Sequence, residues 1–281
     1  GFGELAFARA DDKAARPAGV ARCGLFAGTA DRETSGCDPN PNRRAQESYG
    51  LHLAHALAGR KKDGSPLSLE NADFNHDGKI GLLDAHTWAS IEAVSFDVPT
   101  TTSERWLRRV EPGSAAIDPK ILPEAQALTE RLGAALGLRD EKAVAQRWSE
   151  LDVQLAQLND AIDAAEEAVG TLDSEETTRL LERWPVLDDP FHPEFEATFR
   201  ENRGALEELL LRSPEAHARA EASQRVQALY EQLGQIGVQE ARTFRLRRAY
   251  ETLHKASALM HRGGPAAKYY ASLLACERAA P

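Results

Sequence analysis

The heaviest constraint on this chain is a run of apolar positions in its second half. Val144, Trp148, Leu151, Leu155, Leu158, Ile162, Ala165, Val169 and Leu172 follow one another at spacings that alternate between four and three residues. That rhythm holds an apolar stripe on one face of an α-helix for about four heptads, the pattern of a coiled-coil seam. Pro185, Pro190 and Pro193 then interrupt it. A second amphipathic stretch extends from about Pro214 to Met260. There Val226, Leu229, Leu233 and Ile236 keep the same spacing before the register slips, as a stutter would make it do. Two long helices with a proline-rich connection most simply form an antiparallel hairpin. An intermolecular coiled coil is the alternative, so the helical region offers a surface for a protein partner or for self-association.

The character of the chain changes near Pro112. Turn chemistry dominates before it, and long stretches rich in Ala, Leu, Glu, Gln and Arg follow it. Residues 1–112 therefore read as one region and 113–281 as a helical extension. In the first region, 4–8 and 20–27 read as strands, short apolar runs bounded by turn signals. Residues 38–42 read as a loop and 45–57 as a helix with Tyr49, Leu53, Ala56 and Leu57 on one stripe, stopped at Gly59. The fold class expected from these elements is α/β in 1–112, a sheet with flanking helices, followed by an all-α long-helix hairpin.

A formal net charge of −10 and a sequence pI of about 5.4 argue against nucleic acid or an anionic membrane as the main partner. No run of 18 apolar residues is present, so no spanning helix is expected, and no signal peptide is seen. The chain opens Gly1-Phe2-Gly3-Glu4, without a Met. This reads as a processed chain or a fragment, with functional residues upstream.

Residues 73–84 carry the clearest chemistry. They read Asp73-Phe74-Asn75-His76-Asp77-Gly78-Lys79-Ile80-Gly81-Leu82-Leu83-Asp84, an EF-hand-type loop. An ordinary Asx-rich turn is the alternative for the D-x-N-x-D-G string, which the acid at position twelve and the apolar position eight disfavour. Calcium is a hard cation that takes six to eight oxygens. Asp73, Asn75 and Asp77 would supply side-chain oxygens from positions one, three and five, Lys79 its backbone carbonyl from position seven, and Asp84 a carboxylate from position twelve. Gly78 permits the sharp turn at position six, and Ile80 at position eight anchors the loop to a core. Gly81 leaves position nine to water, and Asp84 is one methylene shorter than the usual Glu. The expected affinity is therefore weak, on the order of 10⁻⁴–10⁻³ M. An exiting helix begins at Leu82, whereas Pro66 and Ser68 crowd the approach, so a loop–helix variant is expected. A single loop points to a structural ion rather than a switch.

Other candidates have plainer readings. His52 and His55 share a helix face but lack a third ligand, and they read as solvated or packing side chains. His76 and His86 flank the loop without a motif. Cys23, Cys37 and Cys276 do not have zinc spacing. Cys23 and Cys37 flank a short polar loop and either form a disulfide or remain separate thiols, with Cys23, in an apolar strand, read as a small hydrophobe. Weak calcium affinity and a Cys23–Cys37 bridge would together lean towards an extracytoplasmic compartment. Trp148 in the seam reads as core packing.

The order of features in the first 109 residues resembles the C-terminal half of bacterial caspase-like cysteine peptidases. Gly1-Phe2-Gly3-Glu4-Leu5-Ala6-Phe7 is similar to the stretch after the catalytic Cys-x-Gly turn of that family. Residues 22–32, running from Arg22-Cys23-Gly24 to Asp31-Arg32, are similar to its next core strand and exit. Residues 49–59 are similar to a following helix, and many bacterial members then carry a D-x-N-x-D-G-x-I loop. The resemblance implies a partial caspase-like sheet. It also implies that the catalytic His and Cys of a cysteine endopeptidase would precede Gly1, so no catalytic residue is assigned here. The loop at Asp31-Arg32 would lie near a substrate pocket. Two functions follow as expectations: a calcium-binding C-terminal part of such a peptidase, or a non-enzymatic module stabilised by calcium that acts through its helical hairpin.

Overall fold

A computed structural model describes residues 23–32, 34–35, 47–111 and 113–279. In chain order the elements are β1 (Leu25–Phe26), α1 (Tyr49–Leu57), α2 (Leu69–Ala72), α3 (Leu82–Glu92), β2 (Thr100–Thr101), α4 (Thr102–Leu107), α5 (Pro123–Leu136) and α6 (Glu141–Arg183). A 3₁₀ turn at Pro185–Asp188, α7 (Phe195–Glu201), α8 (Arg203–Glu207), a π-turn at Glu208–Arg212, α9 (Pro214–Arg262) and α10 (Gly264–Glu277) complete it. The chain divides into two compact units. Residues 1–152 with 237–281 form the first, and 153–236 form the second.

The α/β expectation for 1–112 is corrected. Among the described residues the sheet is one antiparallel pair, Leu25 opposite Thr101 and Phe26 opposite Thr100. Of the strand read at 20–27 only Leu25–Phe26 is strand, while 20–22 and the strand read at 4–8 lie outside the described residues. The physical reason is where the apolar side chains go. Ala56 of α1, Ala85, Trp88 and Ile91 of α3, Leu128 and Leu132 of α5 and Leu246 of α9 share one buried cluster. Helices take up the apolar surface that a sheet would have needed on its faces.

In the first unit α3 is the central element. Nine of its 11 residues are buried, as expected of a helix packed on several sides. α1 and α5 pack on it. Ser48 caps α1, its side chain accepting from the Leu51 N–H, and Gly59 follows with φ +68°, the left-handed stop read from the sequence. A second buried cluster joins Leu83 of α3, Leu107 of α4, Leu122, Leu253 and Leu259 of α9, and Tyr270 and Leu274 of α10.

Two cross-links close this unit. Arg245, 3% exposed, donates to the carbonyls of Ser90 (3.1 Å), Ala93 (2.7 Å), Ser95 (2.7 Å) and Asp97 (2.6 Å). It thereby satisfies the carbonyls that the end of α3 leaves open. The second link is a disulfide between Cys23 and Cys276, with Cα atoms 6.0 Å apart. This corrects both readings of Cys23, as a partner of Cys37 and as a small hydrophobe; Cys37 lies outside the described residues. The pairing arises because β1 lies on β2, Gly24 exchanges hydrogen bonds with Thr102, and Ser103 is held by Glu277 at the end of α10.

The heptad seam emerges as read. Val144, Leu151, Leu158 and Ile162 are buried, and the other seam positions are half-buried between exposed neighbours. Cross-pairs fix the antiparallel hairpin separately in each unit. In the first, Glu141 meets His254 (2.7 Å) and Trp148 Nε1 donates to Glu240 (2.8 Å). In the second, Tyr230 donates to Glu166 (2.8 Å), Arg219 faces Asp173 and Glu176, and Arg179 pairs with Glu215.

Candidate calcium centre

The loop at 73–84 joins one turn of helix, α2, to the long buried α3. The entering helix is only four residues long, which agrees with the loop–helix variant expected from Pro66 and Ser68. Gly78 takes φ +88° with nothing within 4 Å of where a Cβ would stand, so its cost to any other residue is backbone strain. His76 at position four also has positive φ, +58°. Ile80 packs against the first cluster, as position eight should.

The loop's oxygens accept from its own backbone. Asp73 Oδ1 accepts from the Asp77 N–H (3.1 Å) and its Oδ2 from the Gly78 N–H (2.9 Å). Asn75 Oδ1 accepts from the Asp77 N–H (3.0 Å), and Asp77 Oδ1 from the Lys79 N–H (3.2 Å). These bonds fold the chain back on itself between positions one and seven. Lys79 Nζ lies 3.8 Å from Asp77 Oδ2 and is half exposed, which leaves the residue's carbonyl as its contribution. Asp84, fully buried, accepts from the Phe74 N–H (3.0 Å) through Oδ1 and from the Gly81 N–H (2.9 Å) through Oδ2. Its carboxylate thus ties position two to position nine and half-closes a capping box at the start of α3.

The site is electrostatically unbalanced. Burial is the largest influence on Asp84 and pushes its pKa up to about 6. The Gly81 and Phe74 N–H groups pull it down, and the charges of Glu124 and Asp73 push it up further. A cation nearby would relieve both the burial and the repulsion. Among the described residues no three His, Cys, Asp or Glu side chains gather as a metal-holding group. Asp73, Asp77 and Asp84 are thus not gathered as such a group, although together with Asn75 and the Lys79 carbonyl they are hard oxygen donors of the kind calcium takes.

Two residues at the site carry no sequence signal. Glu124, on the first turn of α5 and 1% exposed, accepts from Asn75 Nδ2 (3.3 Å). Arg278, just past α10, clasps that carboxylate through Nε (2.7 Å) and Nη2 (2.8 Å). The chain beyond α10 also lies on the loop itself. The Leu82 N–H donates to the Ala279 carbonyl (3.1 Å), and a Cβ at Gly81 would stand 2.5 Å from the Arg278 carbonyl. Gly81 is needed for this close approach as well as for leaving position nine without a ligand. Behind the loop a cavity of about 70 Å³ is lined by Leu83, His86, Thr87, Glu104, Glu124 and Arg248 among others, room for a few waters. Glu104 there resists the upward pull of burial because Arg248 and Arg108 outweigh it, holding its pKa down at about 2.

The remaining candidates take structural places. His52 is buried against Glu47 (3.2 Å), and His86 is buried with Nδ1 on the Tyr49 hydroxyl (2.8 Å). Trp148 is more than packing: it stacks on Phe244, lies under Arg247 and donates to Glu240. Arg32 makes a two-pronged pair with Glu240 (2.7 and 2.5 Å). Comparison with protein-family models, with curated proteins and with solved structures gives no match.

Proposed function

We propose that this chain is a calcium-stabilised helical module, in which one ion bound at 73–84 braces the junction of α2 and α3 in a structural role. The observation that carries this reading is the D-x-N-x-D-G order of oxygen donors at 73–78, followed by the buried Asp84 carboxylate at position twelve, which the Phe74 and Gly81 N–H groups tie back to the loop. Asp73, Asn75 and Asp77 would bind through side-chain oxygens, Lys79 through its carbonyl and Asp84 through its carboxylate. The ion would supply charge neutralisation and cross-linking, not catalysis. The reading stands independently of the peptidase resemblance, whose sheet the helices replace. The module would then act by binding a protein partner through its helical hairpin.

Calorimetric titration with calcium tests this on the wild type and on Asp73→Ala and Asp77→Ala. A single weak site in the wild type, lost in both variants, is the expected result. Equal heats in all three would refute it.

A further inference from the structure

The loop's third position depends on a residue that lies far away in sequence. An Asn ligand presents either its oxygen or its NH₂ group, and only the oxygen binds a cation. Here Asn75 Nδ2 is engaged outward by Glu124 (3.3 Å), while Oδ1 is turned to the Asp77 N–H (3.0 Å) inside the loop. Glu124 accepts from a donor, so it discriminates between the two ends of the amide. Its own carboxylate has little freedom, because it is buried and gripped at two points by Arg278. Arg278 is fixed in turn. It follows Cys276, bonded to Cys23, and Glu277, whose carboxylate accepts from the Ser103 N–H (2.7 Å) and hydroxyl (2.5 Å).

From this geometry we infer that Glu124 is a positioning residue of the calcium loop, acting through Asn75, with Arg278 as its lock. α5 and the segment after α10 thus supply the rigidity that a full entering helix gives a paired EF-hand. The inference rests on the calcium reading and deepens it. Groups that orient a metal ligand from outside the coordination sphere are commonly worth about 10–100-fold in affinity.

The test is a double-mutant cycle read by calcium calorimetry. Glu124→Ala weakens calcium about 10-fold or more in the wild-type background. Glu124→Gln keeps an acceptor oxygen for Asn75 Nδ2 and restores most of the affinity. Asn75→Ser keeps an oxygen ligand but has no amide to orient, so adding Glu124→Ala to it changes affinity little. Melting in chelator reads any general loss of stability separately. An unchanged affinity in Glu124→Ala, or the same weakening in both backgrounds, overturns the inference while leaving the calcium site standing. Absence of calcium binding in the wild type overturns the calcium reading itself. Should Glu124→Ala fail to fold, the Asn75 side-chain amide in the wild type reads the contact directly by NMR. Slowed hydrogen exchange of that amide is expected, and solvent-like exchange overturns the assignment.

Discussion

The two units of this molecule are held by different kinds of interaction. In the first, charged side chains are buried and multiply bonded: Arg245 on four carbonyls, Glu277 on Ser103, and Glu124 between Asn75 and Arg278. In the second, most ion pairs are exposed, as Arg200–Glu196 and Arg203–Glu207 show, and Phe191 is 94% exposed. A buried charge is tolerated only with its full set of partners, so losing one member is costly. An exposed pair is worth little. The first unit should therefore be specified residue by residue, and the second by its apolar pattern.

The contrast can be broken most directly at Arg245. Arg245→Met strands four carbonyls, and a loss of about 3–5 kcal/mol is expected in urea denaturation. A loss under about 1 kcal/mol would show that water replaces the guanidinium freely. Next comes the disulfide. Cys276→Ser opens a link between positions 253 residues apart, for about 2–4 kcal/mol. It should also lower calcium affinity, since Arg278 is anchored close by; an unchanged calcium titration would separate the two features.

Calcium itself is the third lever. At 10 mM ion, the affinity expected of this loop stabilises by about 1–3 kcal/mol, and chelation should lower the melting temperature of the first unit's amides in hydrogen exchange. An identical melt with and without calcium would remove the ion from the comparison.

Protonation offers a fourth test, of similar size. Burial, opposed by Ser103 and Thr101 and reinforced by Glu104, pushes Glu277 up to about 7. Its folded pKa lies above its unfolded one, so the native state holds the extra proton between them. Its contribution to stability is greatest below the unfolded value, near 4.5, and is lost as pH rises through about 7. Glu277→Gln mimics the protonated form. It should match the wild type near pH 4.5 and exceed it by about 1–3 kcal/mol at pH 8, with His86 common to both. An advantage that is largest at low pH would contradict the burial argument. The smallest effects belong to the second unit. Arg203→Ala and Phe191→Ala should each change stability by less than about 0.5 kcal/mol, and a larger loss at Phe191 would reveal a contact that its exposure hides.

Part of this was legible in the sequence. The seam from Val144 to Leu172 announced its helix because heptad spacing is a local property of one strand of chain. The stop at Gly59, the turn at Gly78 and the anchor at Ile80 were equally local. The extent of the sheet was not legible, because a short apolar run such as 20–27 looks the same whether it enters a large sheet or pairs for two residues. What decides is how many partners arrive, and here the helices occupy those places. The partner of Cys23 was hidden for a related reason: Cys37 is near in sequence, but β2, α4 and α10 deliver Cys276.

By itself, then, the sequence determined the long hairpin, the loop at 73–84 and its complement of oxygen donors, since each follows from neighbouring residues and the backbone they impose. Only the tertiary structure decided that the first unit is helical, that Cys23 joins Cys276, and that Glu124 and Arg278 stand behind Asn75. Those outcomes depend on which distant surfaces meet when apolar side chains leave water. No spacing in the chain records that meeting.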